Sequence, residues 1–141
     1  MQTAFVIRVS GKFIYLPFDE VLYIKAKGNY CEFITTRQKK YVSYGTIGAI
    51  EPQLPENLFC RIHKSHVISI RKIKEFDHSS IQIGDTELPL SKIGFEKLLE
   101  RLLIIDPEYG TKSEEIKKMS VDEYLKKYRK PGKGNNVNPD F

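Results

Sequence analysis

The feature that most constrains this chain is a series of short segments rich in β-branched and aromatic residues. Pairs of turn-forming residues, such as Ser10-Gly11 and Gly84-Asp85, separate these segments from one another. The segments occupy residues 3–9, 12–18, 21–26, 30–36, 39–44, 59–63, 67–70, 72–76, 80–83 and 87–90. Closely spaced runs of this length are typical of strands joined by tight turns. We therefore predict a mainly β fold with about ten short antiparallel strands in small packed sheets.

Two stretches of the chain favour helices instead. Residues 46–53 predict a short helix that Pro52 and Pro55 bring to an end. Ser91 is a suitable N-cap for a second helix over residues 92–105. Apolar residues recur at helical spacing along this second helix, at Phe95, Leu98, Leu99, Leu102 and Leu103. One or two short helices are therefore expected to accompany the strands.

The sequence changes character after residue 105. Asp106-Pro107 interrupts the pattern, and two capping-box signatures follow at residues 111–114 and 120–123. The last eleven residues are rich in Gly, Asn and Pro. We predict a globular domain over residues 1–105, a short helical extension over 106–130 and a disordered tail over 131–141.

Composition narrows the class of protein. No apolar run approaches the roughly 20 residues that span a bilayer, and the first residues lack a signal-peptide pattern, so we expect a cytoplasmic protein without a membrane partner. The formal net charge is +5, which suits a nucleic-acid partner but does not require one. Cys31 and Cys60 both lie in strand-like segments and are expected to be buried thiols, with a disulfide between them as the less favoured alternative.

Residues 59–70 carry the densest cluster of reactive side chains, and three hypotheses compete for it. Cys60, His63 and His66 have a spacing that metal ligands can use, yet no Cys-x-x-Cys pair accompanies them. Ser65 with His63 or His66 would suit a hydrolase, but the segment lacks a nucleophile elbow. No phosphate-binding or dinucleotide-binding glycine motif occurs either. We therefore expect no catalytic site, no metal site and no cofactor.

The third hypothesis is anion binding. Arg61 and Lys64 can neutralise phosphates, and the Ser65 hydroxyl can donate a hydrogen bond to one. Arg61 and His63 also have a structural alternative, in which the arginine forms a salt bridge and the histidine is hydrogen-bonded in the core. The sequence leaves these alternatives open.

Four segments of the chain match the sequence motifs of one family of domains. Residues 59–68 resemble the central signature F-x-R-x-H-[RKN]-S-[YF]-[IV]-[VI], and residues 21–30 resemble the strand and turn I-x-Y-I-E-A-x-G-N-Y. Residues 41–54 and 88–92 resemble the helix motif Y-x-x-x-x-T-[IL]-x-x-[IL]-E-x-x-L and the closing I-P-[VL]-S-[RK]. The four matches occur in that family's order and cover roughly residues 3–105, and together they resemble the LytTR DNA-binding domain of bacterial transcription regulators.

The resemblance implies a mode of binding. Domains of this kind bind double-stranded DNA from one side, and their loops enter successive major grooves. Two copies commonly bind to direct repeats. A homodimer on DNA is therefore expected. The implied base contacts are Asn29, Tyr30, Lys64 and Lys92. The implied backbone contacts are Lys27, Arg61, Ser65 and Ser91.

Some positions depart from the family pattern. Ser69 stands where asparagine is usual, His66 stands where an aromatic residue is usual, and lysines occupy positions 64 and 92 where arginine is frequent. Lysine cannot form the planar fork of arginine, so base discrimination is expected to be looser. No receiver domain is expected within this chain. The alternative function is a protein-interaction module on the same fold that no longer binds DNA.

Overall fold

The computed structural model describes residues 2–105, together with residues 122, 123 and 126. Over these residues the fold is mainly β, as predicted, with ten strands that pair only in antiparallel fashion. A hairpin is formed by β1 (Ala4–Val9) and β2 (Lys12–Pro17). A three-stranded sheet contains β8 (Ile73–Phe76), β9 (Ser80–Ile83) and β10 (Thr86–Pro89).

The largest sheet has five strands in the order β5-β4-β3-β7-β6. Its members are β3 (Val21–Lys27), β4 (Tyr30–Thr35), β5 (Lys40–Tyr44), β6 (Phe59–His63) and β7 (His66–Ser69). Strands β3 and β4 are joined by a two-residue turn in which Gly28 has a φ of +60°. Glycine tolerates this left-handed conformation because it has no Cβ.

Successive residues of the five-stranded sheet point to opposite faces, and both faces are covered. On one face, Ile62 and Ile68 pack with residues of the three-stranded sheet and of α2 (Lys92–Glu100). On the other face, Ile24 and Val67 pack with the β1–β2 hairpin and with α1 (Ile47–Ile50). Two hydrophobic clusters therefore hold the hairpin, the helices and both sheets together.

The helices are shorter than the sequence predicts. The predicted helix over residues 46–53 is α1 with Thr46 as its N-cap, followed by a 3-10 turn over Glu51–Gln53. The predicted helix over residues 92–105 ends at Glu100. Its large fully buried side chains are Phe95, Leu98 and Leu99, whereas Leu102 is only partly buried against the same cluster and Leu103 is 77% exposed. The predicted helical extension and disordered tail fall almost wholly outside the described residues.

Candidate nucleic-acid interface

Two predicted contact loops lie side by side at one end of the five-stranded sheet. Strand β7 lies between β3 and β6, and its first residue, His66, is the register partner of both Lys25 and His63. The β3–β4 turn and the β6–β7 turn therefore lie at the same end of the sheet. A backbone hydrogen bond of 2.8 Å from the Ala26 N–H to the Ser65 carbonyl joins the two loops directly.

The start of α2 is attached to the same end of the sheet. Ser91 donates to the Ile62 carbonyl both from its backbone N–H, at 2.9 Å, and from its hydroxyl, at 3.0 Å. The same hydroxyl accepts a 2.9 Å hydrogen bond from the Gly94 N–H and so caps the helix. Because Ile62 immediately precedes His63, the first turn of α2 lies beside the β6–β7 loop.

This close approach depends on a glycine. A Cβ placed on Gly94 would lie 2.0 Å from the Ile62 carbonyl oxygen, far inside van der Waals contact. The helix can therefore reach the strand only because residue 94 has no side chain. Gly94 was not singled out by the sequence analysis, since a glycine inside a helical pattern carries no signal of what lies opposite it.

Most of the predicted base-contacting side chains face solvent at this end of the sheet. Asn29 and Lys64 are exposed, Tyr30 is 48% exposed, and the side chain of Lys92 is 34% exposed. The Tyr30 ring packs edge-on against Tyr44 with the ring centroids 5.5 Å apart. Tyr30 is thus a surface residue rather than a core aromatic. We call this set of three loops, at residues 27–30, 64–65 and 91–92, the loop edge.

The predicted backbone-contact residues divide into two kinds. Lys27 is exposed and Ser65 is partly buried, so both border the surface of the loop edge. Arg61 is largely covered, with 19% of its side chain exposed, and it forms a 3.0 Å salt bridge to Glu51. Ser91 has no exposed surface at all, and its hydroxyl is engaged as the cap of α2.

Arg61 has a structural role in the β6–β7 loop. Its Nη2 donates a 2.7 Å hydrogen bond to the Lys64 carbonyl, and its Nε donates to the His63 carbonyl at 3.4 Å. Glu51 in turn accepts a 3.4 Å hydrogen bond from the Lys97 ammonium of α2. The guanidinium therefore ties the turn that carries Lys64 to the body of the domain. The sequence analysis did not single out Glu51 as a functional residue, although it matches the glutamate of the helix motif.

The two histidines of the cluster lie close together without forming a metal site. Their ring centroids are 5.5 Å apart, and the His63 Nδ1 accepts a 3.2 Å hydrogen bond from the Ser65 N–H. Burial, with smaller contributions from His63 and Lys25, lowers the pKa of His66 to about 4, so His66 is neutral near pH 7. Among the residues that the structure describes, no group of three His, Cys, Asp or Glu side chains is arranged to hold a metal ion.

Both cysteines are buried thiols, as predicted, and neither is part of a disulfide. Cys60 packs in the cluster that includes α2, whereas Cys31 packs in the cluster on the other face of the sheet. Burial raises the pKa of each thiol above its usual value. Within the described part of the chain, no helix is both long and apolar enough to cross a bilayer.

Comparison with known proteins agrees with this architecture. Residues 11–103 match the family model for the LytTr DNA-binding domain. The chain is 25% identical over 102 residues to the heme-containing CO-sensing transcriptional regulator RcoM 1 of Paraburkholderia xenovorans strain LB400, a match that covers 67% of this chain and 38% of that protein. The chain thus spans well under half of this relative's length.

A solved structure shows the same fold. The LytTr DNA-binding domain of a methyl-accepting/DNA response regulator from Bacillus cereus superposes with a TM-score of 0.58 at 22% sequence identity. The match covers 70% of this chain and 98% of the solved domain. The family model covers about two thirds of the chain, and this chain therefore belongs to the LytTR family of DNA-binding domains.

Proposed function

We propose that the chain is a sequence-specific regulator of transcription that binds double-stranded DNA through the loop edge. Lys64 and Lys92 read base edges in the major groove, together with Asn29 and Tyr30. Lysine suits the O6 and N7 acceptors of guanine, and asparagine suits adenine. Lys27 and Ser65 contact the sugar-phosphate backbone and set the register of the domain on the duplex.

The observation that carries this proposal is the set of hydrogen bonds that hold the three loops together. The bond between Ala26 and Ser65 and the bonds between Ser91 and Ile62 fix the loops in one surface. Loops held by the backbone of a sheet lose little conformational entropy when they bind a ligand. A rigid, protruding edge of this kind can enter a groove without refolding.

The charge of the loop edge supports the same function. Lys25, Lys27 and Lys64 are exposed at or beside the edge. The acidic Glu51 beneath it is neutralised by Arg61 and Lys97, at 3.0 and 3.4 Å. A cluster of exposed cations attracts the phosphate backbone and displaces its counterions.

We assign Arg61 and Ser91 to the support of the loops rather than to DNA. Each side chain already bonds protein groups, and Ser91 has no surface to offer a phosphate. We further propose that two copies of the domain bind direct repeats, as the family pattern implies.

Selection from a random duplex pool tests the proposed function. The full chain is mixed with the pool, the tightest duplexes are recovered, and their affinities are measured by fluorescence anisotropy at several salt concentrations. A recurrent motif is expected among them, with affinity that falls steeply as salt rises. Recovery of no common motif, with equal affinity for every duplex, would contradict sequence-specific binding.

A further inference from the structure

The tip of the β1–β2 hairpin points toward the same end of the sheet as the loop edge. Two contacts define how the hairpin runs along β5. Tyr15 of β2 and Tyr41 of β5 line one cleft near the β4–β5 turn. Two residues further along β5, the Ser43 hydroxyl donates to the Arg8 carbonyl at 3.1 Å, and Arg8 is two residues closer to the hairpin tip than the register partner of Tyr15. The tip at residues 10–11 therefore points toward the same end of the sheet as Tyr44.

Tyr44 lines one cleft together with Arg8 of the hairpin and also adjoins the β3–β4 turn. The N–H of the next residue, Gly45, donates a 2.8 Å hydrogen bond to the Asn29 carbonyl, and the Tyr44 ring packs against Tyr30. Tyr44 is nevertheless 76% exposed. A large aromatic side chain with a hydroxyl group thus stands in solvent directly beside a predicted base-contacting loop.

Every charged residue of the hairpin is basic. Residues 1–18 contain Arg8 and Lys12 but no Asp or Glu. Both side chains are exposed, and the Arg8 guanidinium lies 5.7 Å from the centroid of the Phe13 ring, which restricts its orientation. A cationic hairpin without acidic residues can neutralise phosphates at little cost in repulsion.

We propose that Arg8, Lys12 and Tyr44 form a further DNA-backbone contact, which lengthens the loop edge beyond the β3–β4 turn. This inference rests on the proposed function. Strand β5 lies four strand spacings from β6, or roughly 19 Å across the sheet. The hairpin crosses one face of the sheet, from Phe59 of β6, whose ring centroid lies 5.3 Å from that of Phe5, to Ser43 of β5, which bonds the Arg8 carbonyl. Its tip therefore adds cations at the β5 side of the loop edge. The lysine and arginine neutralise phosphates, and the tyrosine hydroxyl donates to a phosphate oxygen.

The test uses neutral variants of the full chain and the duplex recovered by selection, with a scrambled duplex beside it. The double variant Arg8→Gln/Lys12→Gln removes the two hairpin charges. The matched control Lys39→Gln/Lys40→Gln removes two exposed charges at the opposite end of β5, where Lys39 also lies over an aromatic ring, at 5.9 Å. Anisotropy gives the slope of log affinity against log salt for each protein.

The hairpin variant is expected to lower the magnitude of that slope by about 1.8, since each lost phosphate contact lowers it by about 0.9. It is expected to weaken binding to both duplexes by the same factor, because backbone contacts carry no sequence information. Tyr44→Phe is expected to weaken binding to both duplexes equally, by a few-fold, without changing the slope. The control variant is expected to keep the wild-type slope.

The outcomes separate the two proposals. If the wild-type protein prefers the selected duplex but the hairpin variant has the same slope as the control, the hairpin contact is wrong and the proposed function stands. If the wild-type protein does not distinguish the duplexes, the proposed sequence-specific function is wrong, and the slope of the hairpin variant against that of the control still decides whether the hairpin contacts phosphate. Thermal unfolding of each variant verifies that the fold is retained, which two exposed substitutions should allow.

Discussion

Two small residues at the start of α2 determine where Lys92 is placed. Ser91 joins the helix to Ile62 through its N–H and its hydroxyl, and Gly94 allows the two backbones to come into contact. We propose no DNA contact for either residue. Both matter because the position of Lys92 depends on the backbone that carries it.

Gly94→Ala is expected to be among the most destabilising single substitutions in the domain. The new methyl group would lie 2.0 Å from the Ile62 carbonyl oxygen, so the helix must move away from β6. We expect a loss of about 3 kcal/mol or more in the free energy of unfolding, measured in urea. Gly48→Ala in α1 is the control, since its Cβ meets nothing within 4 Å and alanine favours helices. Equal stability of the two variants would contradict the close approach.

His66 predicts a pH dependence of stability. Its pKa is about 4 in the folded protein against 6.5 in a model compound, so the unfolded chain binds a proton between these values and the folded chain does not. Stability is therefore expected to fall as the pH drops from about 6.5 toward 4, by on the order of 2 kcal/mol. His66→Phe, which restores the aromatic residue usual in the family, should remove this loss. Parallel urea titrations of both proteins at pH 7 and pH 4.5 would show it, and an unchanged loss in the variant would point to other groups.

At the scale of elements, the β6–β7 loop is held by a side-chain network rather than by strand pairing alone. Arg61 donates hydrogen bonds to the His63 and Lys64 carbonyls and to the Glu51 carboxylate. Glu51 also accepts a hydrogen bond from Lys97 of α2. This network joins β6 and the β6–β7 turn to α2 and to the 3-10 turn that follows α1. A planar guanidinium suits the task because it can donate in several directions at once.

Glu51→Gln separates a positioning role from simple electrostatics. Removing a negative charge near DNA should strengthen binding if only charge matters. If the Glu51–Arg61 pair instead holds the Lys64 turn, specific binding should weaken by about 5- to 10-fold, which is about 1–1.4 kcal/mol. Anisotropy on the selected duplex measures the difference, with Glu20→Gln, which pairs with Arg37 at the far end of the sheet, as the control. Tighter binding by Glu51→Gln would contradict the positioning role.

The strands could be predicted from the sequence to within a few residues, because β-branched alternation and turn residues are local signals. The end of α2 could not be, because Leu102 and Leu103 continue the apolar pattern after the buried face has been filled by Leu98 and Leu99. The sequence predicts Ser91 as the cap of α2 and offers a salt bridge as one alternative for Arg61, but it could not predict the tertiary partners of these two residues. Their partners, Ile62 and Glu51, are set by tertiary packing, which a sequence pattern does not encode.

At the scale of the whole molecule, the part of the chain beyond residue 105 contacts the loop edge at one described position. The Asp122 carboxylate lies 3.3 Å from the Lys92 Nζ. A DNA phosphate or base that binds Lys92 would compete with this partner. The extension predicted over residues 106–130 thereby offers an acidic competitor for a lysine that we propose to read bases.

Asp122→Asn is expected to raise DNA affinity modestly. An exposed ion pair contributes roughly 0–1 kcal/mol, so the gain should be at most about fivefold and should shrink as salt rises. Asp85→Asn is the control, because Asp85 is also an exposed acid paired with an exposed lysine, Lys74. Equal affinities for the wild type and Asp122→Asn at low salt would show that the contact does not compete with DNA.

The central claim is that the loop edge reads DNA, and one comparison tests it most directly. The selected duplex is titrated by anisotropy with Lys64→Ala, with Lys92→Ala and with Lys74→Ala, which removes an exposed lysine from the three-stranded sheet. Each loop-edge variant is expected to lose about 1–3 kcal/mol of specific binding, whereas Lys74→Ala should bind like the wild type. Wild-type affinity in both loop-edge variants would contradict the claim.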